Sequence, residues 1–306
     1  MQYGFSIKRK CYLLSVLLMT VWLTGCVQEE FESTPSPAGN GIRFTLTVPD
    51  VNLPSVSSRT MTGTGTAKKE DEIKTVDILV FDMSKTPAVY LECVSATGVT
   101  QDLADNSTVS FSAVLSPTTA STCIVVVANK ELDNIVSGFT KGATTKVEAM
   151  EKMLHTQTGK WLADGSTTGG YTRIPMYGEK VISKITPSMD PITGINMKRM
   201  LARIDIRNNS ATSNFTVEEV YLANYNTTGY IAPAWNTNGQ VTDPAPDTPV
   251  LPVNSGKMTE EGDAILYSVN GNTPYDGEIY TFESLAAEDA GGAGADGEAS
   301  RKDATC

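Results

Sequence analysis

Histidine is almost missing from this sequence: one residue, His155, among 306. Chemistry that needs two imidazoles, such as a His-x-x-x-His metal site, is thereby excluded. Cysteine is scarce too, five in all, and no Cys-x-x-Cys exists to form a redox or zinc centre. Positive charge is short, with 24 Lys and Arg against 35 Asp and Glu, a net of −11. With no basic cluster past the first ten residues, nucleic-acid phosphates find no matching surface. No apolar run reaches the ~20 residues of a comfortable membrane-spanning helix. A Gly-x-Ser-x-Gly elbow, a Walker loop, His-Glu-x-x-His and EF-hand spacing are absent, as is any repeat of 20–50 residues. Carboxylates alone are plentiful, and among 35 acids no hydrolytic pair can be singled out. The expectation is therefore no catalytic residues, no metal and no diffusible cofactor.

What is present begins with an address. Lys8, Arg9 and Lys10 precede an uncharged stretch from Cys11 to Gly25, the layout of a secretory signal. The stretch ends Leu23-Thr24-Gly25-Cys26, which resembles the bacterial lipobox. That resemblance implies cleavage between Gly25 and Cys26 and diacylation of Cys26, the one covalent group expected. Loss of residues 1–25 removes three positive charges and leaves −11 − 3 = −14. The acidic run Glu29-Glu30-Phe31-Glu32 resembles the surface-export signal of Bacteroidetes lipoproteins, or is a solvated spacer. Residues 34–40, rich in Pro, Gly and Ser, read as a tether. With Cys11 discarded and Cys26 lipidated, Cys93, Cys123 and Cys306 remain; a Cys93–Cys123 disulfide is open on sequence alone.

The body reads as strands. Ile42, Phe44, Leu46 and Val48 alternate with Arg43, Thr45 and Thr47, a half-buried strand. A soft segment, 52–69, rich in Ser, Thr, Gly and Lys, follows and holds one arginine, Arg59. Strands are then predicted at 75–82, a near-continuous apolar run suited to the middle of a sandwich, at 108–115, 121–128 and 174–182. Residues 194–207 predict one more, with Met200, Ala202, Ile204 and Ile206 on one face and Arg199, Arg203 and Arg207 on the other. Val147, Met150 and Leu154 space out a helix over 145–155, with Glu148 and Lys152 as an i,i+4 pair and His155 as a cation at its C-terminus. Further strands are predicted at 215–222, 230–235, 264–269 and 278–283, with a hairpin turn at Asn270-Gly271. The strand at 278–283 needs neighbours, yet none follows it. Residues 286–306 hold no Ile, Leu, Val, Phe, Tyr or Trp and form no core.

Five features in order along the chain resemble the fimbrial subunits and fimbrial anchoring lipoproteins of Bacteroidales, the type V pilus or fimbrillin-type family. They are the lipobox ending at Cys26; the strand Ile42–Val48; Ser58-Arg59-Thr60; Val76-Asp77-Ile78-Leu79-Val80-Phe81-Asp82; and Ile174-Pro175-Met176-Tyr177-Gly178-Glu179 followed by Met200-Leu201-Ala202-Arg203-Ile204-Asp205. The resemblance is good from 23 to about 235, weaker to 283 and absent beyond.

The resemblance implies an all-β fold of two tandem β-sandwich, transthyretin-like domains with one or two short helices, the second domain incomplete. Its expected parts are a lipoprotein signal peptide (1–25), a lipidated propeptide with the first strand (26–59), an N-terminal sandwich (60–207), a C-terminal sandwich (208–285) and a tail (286–306). It implies a surface lipoprotein of the outer membrane, cut by an arginine-specific protease at Arg59–Thr60. That cut would free the removable strand bearing Ile42, Phe44, Leu46 and Val48. Other fimbrial subunits would be the partners, joined by strand exchange to build an adhesive fimbrium, with the adhesion ligand and the shaft, tip or anchor role left open. The alternative is an anchored carbohydrate-binding lipoprotein using aromatics such as Trp161, Tyr230 and Trp235. An enzyme ranks third.

Overall fold

The computed structural model describes residues 42–47, 71–101, 108–157, 159–161, 173–204, 219–223, 225–242, 250–253, 265–268 and 279–284. Strands dominate these residues, and the chain is all-β as expected. One sheet has four strands: β1 (Ile42–Thr47), β4 (Thr97–Gln101), β5 (Thr108–Ala113) and β9 (Ile192–Asn196), in the order β4-β5-β1-β9. A second has five: β2 (Val76–Asp82), β3 (Val89–Ser95), β6 (Thr122–Ala128), β8 (Met176–Ile182) and β10 (Lys198–Arg199), in the order β10-β8-β6-β2-β3. The two pack face to face. Phe44, Leu46, Phe111 and Ile195 from the first meet Ile78, Val80, Ile124 and Val126 from the second in one buried cluster.

The apolar runs in β2 and β6 have a specific cause. Side chains of a strand alternate between faces, so an unbroken run requires both faces to be covered. The far face of the five-stranded sheet carries Leu79, Phe81, Cys123, Val125, Val127 and Tyr177. It is covered by the two described helices, α1 (Asp133–Val136) and α2 (Lys146–Lys152), and by residues much later in the chain, among them Ile231, Tyr280 and Phe282.

Several expectations change. The helix predicted over 145–155 stops at Lys152, and Leu154–Thr156 form strand β7, paired with β13 (Thr228–Tyr230). Glu148 turns back to the helix start rather than along it: its carboxylate accepts from Thr145 N at 2.7 Å and Thr145 Oγ1 at 2.9 Å, a capping box. The single strand predicted at 194–207 is broken. Residues 192–196 belong to the four-stranded sheet, Lys198–Arg199 to the five-stranded sheet, and Ala202–Ile204 form β11, paired with β15 (Ile279–Thr281). Arg199 and Arg203 therefore share no sheet face; Arg199 is paired with Asp71. The late strand β15 has an upstream neighbour, β11.

The cysteine bridge left open by the sequence is not made. Cys93 and Cys123 are both free. Cys93 lies opposite Leu79 and Cys123 opposite Phe81, on strands flanking β2 on its two sides. Two strand spacings are about 9.5 Å, beyond the ~7 Å Cα limit for a disulfide. Burial pushes the Cys93 thiol up to about 12 and the Cys123 thiol up to about 11, so both are unreactive at neutral pH.

Past residue 207 the described strands form two-stranded ribbons. One is β12 (Glu219–Leu222) with β14 (Ile265–Ser268), around a small cluster of Leu222, Tyr225, Ile265 and Ile279. Backbone pairing bridges the expected 207/208 boundary twice, at β7–β13 and β11–β15. The hairpin turn expected at Asn270-Gly271 and the tail 286–306 lie outside the described residues.

His155 is held in this bridging region. Its ring lies 4.9 Å from the Trp161 ring and 6.5 Å from that of Phe282, centre to centre. Both ring nitrogens are buried without a hydrogen-bond partner among the described residues. Burial, with a smaller push from Lys130, lowers its pKa from 6.5 to about 4. It is therefore a neutral, half-buried residue and not the helix-end cation expected. The native state resists a proton that the unfolded chain accepts, so stability declines as pH falls from about 6.5 through about 4. His155→Leu should remove that component, gaining roughly 1–2 kcal/mol near pH 4.5 after allowance for partial exposure. Urea midpoints of both proteins across pH 4–7 check this; parallel profiles would contradict it.

Candidate functional site

The site singled out by the sequence is the strand Ile42–Val48, and the structure places its described part, β1, inside a sheet rather than at an edge. On one side β1 runs antiparallel to β5, in unbroken register from Ile42↔Ala113 to Thr47↔Thr108. On the other it runs parallel to β9, with Phe44 opposite Ile192 and Leu46 opposite Ile195. Two residues of β1 thus span three of β9, a bulge that Gly194 permits by adopting a positive φ of 70°. Beyond the strand end, Met197 N donates to Thr47 O at 2.9 Å.

The alternation read from the sequence decides which side chains are buried. Ile42, Phe44 and Leu46 are 5%, 1% and 0% exposed and point into the shared core. Phe44 lies flat on Phe111, ring centres 5.0 Å apart and planes 9° from parallel. Each such side chain contributes about 1.5–3 kcal/mol when buried. Taking β1 away would open a slot between β5 and β9 with apolar walls and two rows of unpaired backbone groups. Val48, the fourth member of the set, lies outside the described residues, as do Gly25, Cys26, Arg59 and Thr60. The structure thus brings together the three strand residues and does not address the lipidation and cleavage residues.

The walls of the slot are built by residues whose role the sequence reading did not assign. Gly178 on β8 lies under β9: a Cβ there would stand 2.7 Å from Met197 Sδ and 2.8 Å from Ile195 Cγ2. Only glycine lets β9 settle that closely on the second sheet. On the far face of the same strand, Tyr177 OH donates to Glu179 Oε2 at 2.6 Å, and the same oxygen accepts from Lys146 Nζ at 2.6 Å. Lys146 is 1% exposed although it opens a helix. Burial, reinforced by the Glu179 charge, holds the Tyr177 phenol far above its ordinary pKa. The Ile174-Pro175-Met176-Tyr177-Gly178-Glu179 stretch is therefore a packing and pairing element. From Met176 to Glu179 its residues alternate between the slot side and the buried ion pair.

The aromatics named for sugar stacking are placed differently. Trp161 is 3% exposed and packed in the second core cluster. Tyr230 and Trp235 are half-buried against one another, ring centres 4.8 Å apart at 76°. No group of three or more His, Cys, Asp or Glu suited to a metal ion occurs among the described residues.

No curated protein matches this sequence. Solved structures do. A fimbrial assembly protein from Parabacteroides distasonis is 12% identical, with 79% of this chain and 77% of that chain aligned at a TM-score of 0.38. A protein described as a cell adhesion protein from the same organism is 15% identical over 82% and 72% at 0.44. One described as an adhesin from Bacteroides ovatus is 12% identical over 81% and 69% at 0.36. The family profile of the major fimbrial subunit protein (FimA) matches residues 42–193, from the first residue of β1 into β9. Residues 42–193, which carry β1, the β5 wall and the start of β9, match the major fimbrial subunit (FimA) family, a family of structural proteins and not of enzymes.

Proposed function

We propose that this fimbrial subunit is made as a surface lipoprotein, anchored in the outer membrane through Cys26, and activated for assembly by loss of β1. An arginine-specific protease cuts at Arg59–Thr60, releasing residues 26–59, which is 59 − 25 = 34 residues. The strand β1 is a placeholder, and an extended segment of a neighbouring subunit takes its slot. Backbone pairing on both sides and burial of alternate side chains then lock the polymer.

The observation that carries this reading is the position of β1. It is an internal strand with three fully buried side chains, and it leads into the 52–69 segment that holds a single arginine. A strand so placed leaves a complete, shaped vacancy, whereas loss of an edge strand would leave only one row of unpaired groups. The outer face of the same sheet is polar, with Thr45, Thr47, Ser110 and Thr193, so an occupant needs apolar side chains on one face only.

Incubating the lipoprotein with an arginine-specific protease tests the proposal. A fragment beginning at Thr60, followed by a ladder of oligomers on unboiled gels, is expected. Absence of that fragment, or cleavage with no oligomers, would sink it.

A further inference from the structure

The two walls of the slot are unequal, and this assigns a preference to the incoming strand. β5 is held on its far side by β4, so it stays in a sheet when β1 leaves. β9 has β1 as its one strand partner among the described residues. With β1 gone, β5 is the template that remains in place. β9 is then held by the side chains of Ile192 and Ile195, by Met197 just beyond its end, and by the hydrogen bond that Lys180 Nζ donates to Thr193 O.

The template carries a graded row facing the slot: Val109, Phe111 and Ala113, opposite Leu46, Phe44 and Ile42. The small Ala113 leaves room for a branched side chain at one end. In the centre Phe111 presents a flat ring face, covered by Phe44 in near-parallel contact at 5.0 Å. A small residue at the centre would leave a void lined by Phe111 and the second sheet, and a non-planar one would lose the ring contact.

We propose, on the footing of the strand-exchange reading above, that the slot selects its occupant by a central aromatic residue. The partner is an extended segment of another subunit with the pattern apolar–x–aromatic–x–apolar. It runs antiparallel to β5 and brings its ring opposite Phe111. β9 closes on it last, because its bulge at Gly194 is set by the strand it meets.

The full chain, cut after Arg59, is offered fluorescent peptides of residues 41–48 while the native strand is washed away. The native peptide is expected to be captured. Phe44→Tyr should bind within about tenfold of it. Phe44→Leu should be weaker by up to about tenfold, the ring contact being lost. Phe44→Ala should be weaker by at least a hundredfold, the centre being left empty. A scrambled peptide should not bind. Equal capture of the Phe44→Ala and native peptides overturns the selectivity and leaves strand exchange standing. Equal capture of the Phe44→Leu and native peptides overturns the aromatic requirement. Failure of the native peptide to bind overturns strand exchange itself.

Discussion

Glu179→Ala should cost about 3–5 kcal/mol of folding stability, the largest loss expected from any single charged position in the five-stranded sheet. The reason is what it leaves behind. Lys146 Nζ, in a side chain 1% exposed, has its ion pair with Glu179 Oε2, and Tyr177 OH donates to that same oxygen. Val241 N donates to the other oxygen at 3.4 Å. Truncation strands a buried cation and a buried hydroxyl together, and burial of a charge without its partner is far more costly than loss of the pair as a whole. A second variant isolates the cause. Lys146→Met with Glu179→Gln removes both charges, keeps an acceptor for Tyr177, and should regain most of the stability. Urea midpoints measure all three proteins. A loss under 1 kcal/mol for Glu179→Ala would mean that the pair behaves as an exposed one.

Asn129→Ala should cost roughly 3 kcal/mol. Asn129 follows β6 with a positive φ of 59°. Its Oδ1 accepts from Lys74 N at 2.9 Å, and its Nδ2 donates to Glu72 O at 2.8 Å and Ile174 O at 3.0 Å. One side chain thus ties the end of β6 to the chain entering β2 and the chain entering β8, the strands on either side of it. Alanine loses the bonds, each worth about 1 kcal/mol net, and adds the strain of a left-handed conformation. Asn129→Gly relieves the strain but not the bonds, so it should be about 1 kcal/mol milder. For a chain of this size the alanine variant should melt about 6–12 °C lower. Equal melting of the glycine and alanine variants would remove backbone strain from the account.

How much of this was legible beforehand varies with the kind of strand. β1, β2, β5, β6 and β8 were readable because their apolar residues either alternate or run on unbroken, and burial on one face or two enforces those patterns. β3 and β4 went unseen. β3 lies at the sheet edge, and its Glu92, Cys93 and Ser95 interrupt the apolar residues. The ending of α2 was also missed. His155 and Leu154 fit a helical spacing, but pairing with Thr228–Tyr230, more than seventy residues away, makes them a strand. No local pattern reports such a partner. Lys146 was unremarkable as a helix residue, since its burial depends on Glu179 arriving from β8 and on Gly239 lying against its stem.

The sequence by itself determined that the chain is built of strands, that Ile42, Phe44 and Leu46 share one face, and that a soft segment with a single arginine follows them. Those are consequences of local composition and of the two-residue period of an extended chain. Only the tertiary structure decided that this strand lies between β5 and β9, antiparallel to one and parallel to the other. It also decided that the late residues Tyr280 and Phe282 help to cover the five-stranded sheet. Partner choice in a sheet is set by which distant strands can bury the same face together. An edge strand and an internal strand of equal alternation look alike until their neighbours are known.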